Sequence, residues 1–187
     1  QGVQQDQLSQ LINGLSNEKV RKYLERSFGL STYDINNFKY TENKTSLPEI
    51  DEKLDITVQN YATITGKRLF ITPNILNRAG QQITENTLRT VDFVFNYAYR
   101  DKDQIEIEIP AGYEIESAPK NVSIQTEFGS YQFKSTYEGN KIMYSRTREQ
   151  FSGRFPASKQ KEIIQFYADV YKADRSRIVL VKSSTNK

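Results

Sequence analysis

Between residues 91 and 109 large apolar side chains occupy nearly every second position. Val91, Phe93, Phe95, Tyr97 and Tyr99 fall on one face, with Asp92, Asn96 and Arg100 on the other; farther on, Ile105, Ile107 and Ile109 alternate with Gln104, Glu106 and Glu108. A period of two fits a pleated strand, whose successive side chains leave on opposite faces. One face is dry and the other wet, which is the signature of an antiparallel sheet packed on one side only. Asp101-Lys102-Asp103, lying between the two runs, reads as the turn that joins two strands.

The same period recurs along most of the chain. Ile35, Phe38 and Tyr40 suggest a short strand interrupted by a bulge, and Asn43 to Glu52, with Pro48, reads as a polar loop. Leu54, Ile56 and Val58 alternate, followed by Tyr61 and Ile64, and Gly66-Lys67 makes a hairpin turn into residues 68–72, which Pro73 ends. Residues 74–86 read as irregular. Pro110 and Gly112 turn the chain, Val122 and Ile124 mark another strand, and Tyr131, Phe133 and Tyr137 the next. Gly139-Asn140 then closes a hairpin into Ile142 and Tyr144, because such a turn needs positive φ. Ile178-Val179-Leu180-Val181 is a final, buried-type strand before a polar tail.

Two stretches follow the helical period instead. Leu8, Leu11, Ile12 and Leu15 share a face, Asn13-Gly14 weakens the run, and Asn17 can cap a second segment carrying Val20, Leu24 and Phe28 up to Gly29. Ser158 can cap a helix whose apolar stripe is Ile163, Phe166, Tyr167 and Val170. The expected fold is therefore mainly β: an antiparallel β-sandwich (Ig-like), with an N-terminal helical connector over residues 1–30. The sandwich would occupy residues 31–187, with one helix before its last strand.

The chain of 187 residues contains no histidine and no cysteine, while Tyr (12) and Phe (10) are abundant. Thiol nucleophiles, imidazole bases, Ser-His-Asp triads and thiolate or imidazole zinc sites are thereby excluded. Carboxylate chemistry remains open, through Asp101 with Asp103 or Glu106 with Glu108. The first pair reads as turn formers and the second as solvent-facing on one strand face, not as acids converging on a substrate. A calcium site at Asp101-Lys102-Asp103 would lack dense oxygen ligands and carry an opposing lysine. A Ser-Lys dyad would need a buried lysine, and none lies in an apolar run. We expect no catalytic residue, no metal and no cofactor. Asn43-Lys44-Thr45 and Asn121-Val122-Ser123 match the glycosylation sequon, a pattern that arises often by chance.

The net charge is +3, from 26 basic and 23 acidic residues. Basic residues cluster most at Arg146, Arg148, Arg154, Lys159 and Lys161, too sparsely for a nucleic-acid face. Within this stretch Tyr144, Arg146, Arg148, Phe151 and Arg154 form the candidate binding surface. Tyr97, Tyr99, Tyr113, Tyr131 and Tyr137 could build an aromatic platform, although aromatic residues at alternating strand positions usually serve the core. No apolar run approaches the roughly 18 residues of a membrane span. The only methionine is Met143, so a mature product or an excised piece of a longer protein is expected. The absence of cysteine fits any redox compartment.

Several short stretches taken together carry a resemblance. They are Asn60-Tyr61-Ala62 followed by Gly66-Lys67-Arg68-Leu69-Phe70-Ile71-Thr72-Pro73, then Val91-Asp92-Phe93, then Ile109-Pro110-Ala111-Gly112-Tyr113-Glu114-Ile115-Glu116 with Pro119. Phe155-Pro156-Ala157 and Ile178-Val179-Leu180 complete the series. In order and spacing the chain resembles, from about residue 20 to residue 182, the C-terminal β-rich region of Gram-negative envelope proteins of unknown function that carry an upstream transglutaminase-like domain. The resemblance implies an accessory part of a longer protein located in the periplasm or cell envelope. The family's catalytic Cys, His and Asp belong to the upstream domain, and no residue here matches its Cys or His. The implied partners are that upstream domain of the same polypeptide and, beyond it, other envelope proteins or glycans, with no nucleic acid and no membrane insertion. The function expected is a non-catalytic interaction module; the alternative is a stand-alone carbohydrate- or peptide-binding sandwich.

Overall fold

The computed structural model describes residues 2–80 and 88–183. Part of the irregular stretch expected over 74–86, and all but two residues of the polar tail, lie outside the described residues. The chain divides into two compact units, Gln1–Tyr61 and Ala62–Lys187. The boundary expected at residue 30 thus moves to Tyr61, because the first hairpin packs with the N-terminal helices.

In the first unit, helices α1 (Val3–Gly14) and α2 (Asn17–Leu24) precede an antiparallel hairpin of β1 (Tyr33–Asn43) and β2 (Glu49–Val58). The cap of α2 is Ser16, whose hydroxyl accepts from the Lys19 amide, and not Asn17. The polar loop expected over 43–52 shrinks to residues 44–48, since cross-strand pairing continues to Asn43 opposite Glu49. The register slips between Ile35 and Asn37. That bulge explains the spacing of Ile35, Phe38 and Tyr40: one extra residue shifts the phase, so all three still face the helices. Val20, Leu24 and Ile35 are buried there among Leu11, Phe28, Leu54 and Ile56.

The second unit holds two four-stranded antiparallel sheets and a two-stranded ribbon. One sheet contains β3 (Thr63–Thr65), β4 (Arg68–Ile71), β7 (Tyr113–Ser117) and β12 (Ile178–Lys182), in the order β3-β4-β12-β7. The other contains β6 (Tyr99–Glu108), β8 (Val122–Gln125), β9 (Gly129–Glu138) and β10 (Lys141–Gln150), in the order β6-β10-β9-β8. The ribbon pairs β5 (Phe93–Phe95) with β11 (Gly153–Phe155). Helix α3 (Gln160–Ala173) precedes the last strand, as the periodicity predicts. The architecture is mainly β and sandwich-like.

The core follows from the alternation. Tyr131 and Phe133 of β9 and Tyr144 of β10 point to one side, where Phe166, Val170 and Ala173 of α3 cover them. A second cluster joins Phe128, Phe155 and Ile163 with Phe93, Phe95 and Tyr167. Its rings meet edge to face, with Phe128 and Phe155 centroids 5.0 Å apart.

Three expectations are corrected here. Within the run 91–99, β5 covers only Phe93–Phe95 and Tyr99 already opens β6, and Asp101-Lys102-Asp103 lies within β6 instead of turning the chain. The physical reason is that Asp103 faces inward, where it meets a buried arginine. Ser158 sits in a 3₁₀ turn, and Lys159 occupies the N-cap of α3.

Two glycines differ in what they tolerate. A Cβ at Gly129 would lie 2.2 Å from the Glu149 carbonyl oxygen, whereas Gly139 has open space but φ of 58°. Gly129→Ala is expected to destabilise the fold by about 2 kcal/mol or more through overpacking. Gly139→Ala is expected to cost about 1 kcal/mol, from the left-handed backbone alone. Urea denaturation of both variants checks the order.

Candidate functional site

The register of β10 against β6 places Arg146 directly opposite Asp103. Parity along β10 sends Ile142, Tyr144 and Arg146 inward together, all buried. Asp174, the C-cap of α3, arrives from the helix side. Arg146 and Asp174 are each 1% exposed. The Arg146 guanidinium donates through Nε to Asp174 Oδ1 at 2.8 Å and through Nη2 to Oδ2 at 3.2 Å. Its Nη1 donates to Asp103 Oδ2 at 2.8 Å.

The Asp174 carboxylate takes three further bonds. Asn74 Nδ2 (2.9 Å) and the Tyr131 hydroxyl (2.8 Å) donate to Oδ1, and the Ala79 amide (2.8 Å) donates to Oδ2. Asn77 donates to Asp103 from the same segment after β4. Arg175 fastens that segment again, donating to the Ala79 carbonyl at 2.8 Å while it lies over the Tyr171 ring. A buried ion pair is tolerable only when such bonds replace the water it has lost.

The electrostatics agree with this geometry. Burial opposes the Arg146 charge, but Asp174 and Asp103 outweigh it and raise its pKa further. Burial, with Asp174 nearby, pushes the Tyr131 phenol far above its ordinary range, so it stays a neutral donor. Burial pushes Tyr144 up to about 12. The Tyr144 hydroxyl is buried near Tyr131 and Asp174, and its contact with the Tyr131 phenol falls short of good hydrogen-bond geometry. The arrangement is a lock: its carboxylates are engaged, and Asp174 is almost wholly buried.

The candidate binding surface does not stay together. Tyr144 and Arg146 are interior, contrary to the expectation, because the sheet's inner face claims that parity. Arg148 and Phe151 are half-buried, and Arg154 is exposed beside Asp92 at 3.6 Å. Of the aromatic platform, Tyr131 is core and Tyr113 half-buried, while Tyr97, Tyr99 and Tyr137 are exposed by 75%, 37% and 42%. Glu106 pairs with Lys141 at 2.5 Å on the solvent side. The remaining acids do not converge: Asp101 is half-buried and Asp103 belongs to the lock.

One constellation of a different kind was not legible as a motif. The Arg148 guanidinium lies against two rings, 5.6 Å from the Tyr99 centroid and 5.8 Å from that of Tyr167. The Tyr167 hydroxyl donates to Gln150 Oε1 at 2.7 Å, and Gln150 Nε2 donates to the Tyr97 carbonyl at 3.4 Å. Two strands and a helix thus converge on one cation. In the first unit, a cleft of about 840 Å³ is lined by Asn13, Arg21, Phe38 and Glu42. Glu42 there accepts from Ser9 and Asn13, and Arg21 donates to the Ile35 carbonyl.

These features define an all-antiparallel, mainly β domain with a helix seated on one sheet by an internal ion cluster. The chain belongs to the DUF3858 family, a domain of unknown function with a solved structure, whose model matches residues 67–180. The match spans every residue of the cluster. The crystal structure of a protein described as a "putative protease" from Parabacteroides distasonis is similar over 51% of this chain, at 18% identity and a TM-score of 0.45. The similarity covers 19% of that protein's chain. No curated protein matches the sequence.

Arg146→Met would strand two buried carboxylates and is expected to cost about 3–5 kcal/mol. Tyr144→Phe removes only an unpaired hydroxyl and is expected to be neutral or slightly stabilising. Chemical denaturation checks both. The raised phenol of Tyr144 also sets a pH dependence. Its unfolded-state pKa is about 10, so its contribution is complete below that pH. It is lost as the pH rises through the folded value of about 12. Melting temperature should therefore fall less steeply between pH 10 and 12 in Tyr144→Phe than in the wild type.

Proposed function

We propose that this chain is a non-catalytic interaction module of a longer, exported protein, and that its β domain supports or positions an upstream transglutaminase-like domain. The observation that carries the reading is the closure of Asp103, Arg146 and Asp174 on one another. The most strongly bonded acids of the second unit hold a helix to a sheet and have no capacity left for acid–base work. The resemblance in order and spacing supports the upstream partner and the periplasm or cell envelope as the location. Among the described residues no helix is long and apolar enough to cross a membrane. Exposure of Tyr97 and Tyr99 favours the second reading, a sandwich that itself binds carbohydrate or peptide.

The test compares the parent protein with and without residues 62–187. The module is expected to raise the melting temperature of the upstream domain by several degrees. The isolated chain is expected to turn over neither fluorogenic peptides nor glutaminyl amide substrates above the buffer rate. A rate that disappears with Asp101→Asn or Asp103→Asn would overturn the proposal.

A further inference from the structure

Arg146 and Arg148 occupy equivalent positions two residues apart on β10, and each faces an aspartate across β6, Asp103 and Asp101 respectively. The first pair closes at 2.8 Å. The second does not close: among the described residues no carboxylate comes within salt-bridge distance of Arg148. Its guanidinium lies against the faces of Tyr99 and Tyr167, with a polar contact to the Tyr99 phenol, in a half-buried niche. Ring faces hold a guanidinium without exhausting its five donors. A partly desolvated guanidinium with free donors fits one ligand above others, a carboxylate taken in two parallel hydrogen bonds. Tyr99, 37% exposed, supplies apolar rim beside the charge, and the Tyr97 backbone is tied to the same strand face through Gln150. Tyrosine and arginine together are the composition of interface anchor points.

We propose that the Arg148 niche, walled by Tyr99 and Tyr167, is a docking site for a glutamate or aspartate side chain of an acidic partner segment. The proposal rests on the reading of the chain as an interaction module and names the chemistry of what it meets. Charge complementarity selects the occupant: the chain supplies a cation here and keeps Asp103, the acid of the neighbouring position, for the interior.

The test uses the whole 187-residue chain, labelled with ¹⁵N. It is titrated with a capped hexapeptide alternating glutamate and leucine, with the same peptide carrying glutamine for glutamate, and with sodium phosphate at matched ionic strength. The glutamate peptide is expected to shift the Arg148 Nε–H resonance saturably, and the glutamine peptide to leave it in place. Arg148→Gln should weaken the peptide at least about tenfold, which corresponds to about 1.4 kcal/mol. Arg148→Lys, which keeps the charge over the rings but loses the planar fork, should weaken it about threefold or more. Arg154→Gln should change it less than about twofold, because that side chain is exposed and already beside Asp92. Equal binding by Arg148→Gln, an equal shift by the glutamine peptide, or full competition by phosphate at equimolar concentration would each overturn the niche. None of those results would alter the module's effect on the melting of the upstream domain, so the two readings fail separately.

Discussion

A guanidinium removed from water is stable only where carboxylates replace the solvent it has lost, and Arg146 meets that condition twice. Asp103 reaches it from the neighbouring strand and Asp174 from the end of the helix. Asp174 in turn collects Asn74 and the Ala79 amide, residues 100 and 95 positions away in sequence. With Tyr131 of β9, five separate stretches of chain therefore share one set of bonds. Their contribution to net stability is modest, because desolvating the ions costs nearly as much as pairing them returns. The larger effect is on geometry, since any other docking of the helix leaves charges buried and unpaired.

Around that point the aromatic core fills in without further polar demands. Tyr131 serves both purposes, its ring stacked among Phe133 and the helix and its hydroxyl bonded to Asp174. The same parity continues to Arg148 and Gln150, which are half-buried against Tyr167 of the helix, and there tyrosine rings replace aspartate as neighbours. Interior lock and surface niche are thus consecutive inward positions of one strand face, the first meeting the end of the helix at Asp174 and the second its middle at Tyr167.

This arrangement commits Asp103, Arg146 and Asp174 to holding the helix on the sheet, and the proposed function is an interaction for that reason. Membership of a family of unknown function covers the β domain and says nothing of an activity. On the proposed reading the surface matters most, and its distinctive feature is the Arg148 guanidinium held between two tyrosine rings.

Alternation of apolar residues was enough to specify a mainly β, antiparallel architecture, and helical spacing was enough to place a helix before the last strand, because both periods are properties of the local backbone. The bulge in β1 was legible for the same reason, from the offset between Ile35 and Phe38. The Asp101-Lys102-Asp103 stretch was misleading, since three charged residues resemble a turn until a buried arginine appears opposite one of them. Nothing local distinguishes Arg146 from Arg148, and nothing marks Asp174 as more than a polar helix end. Only the tertiary structure could decide which arginine meets two carboxylates and which meets two rings, because that depends on contacts between residues far apart in the chain.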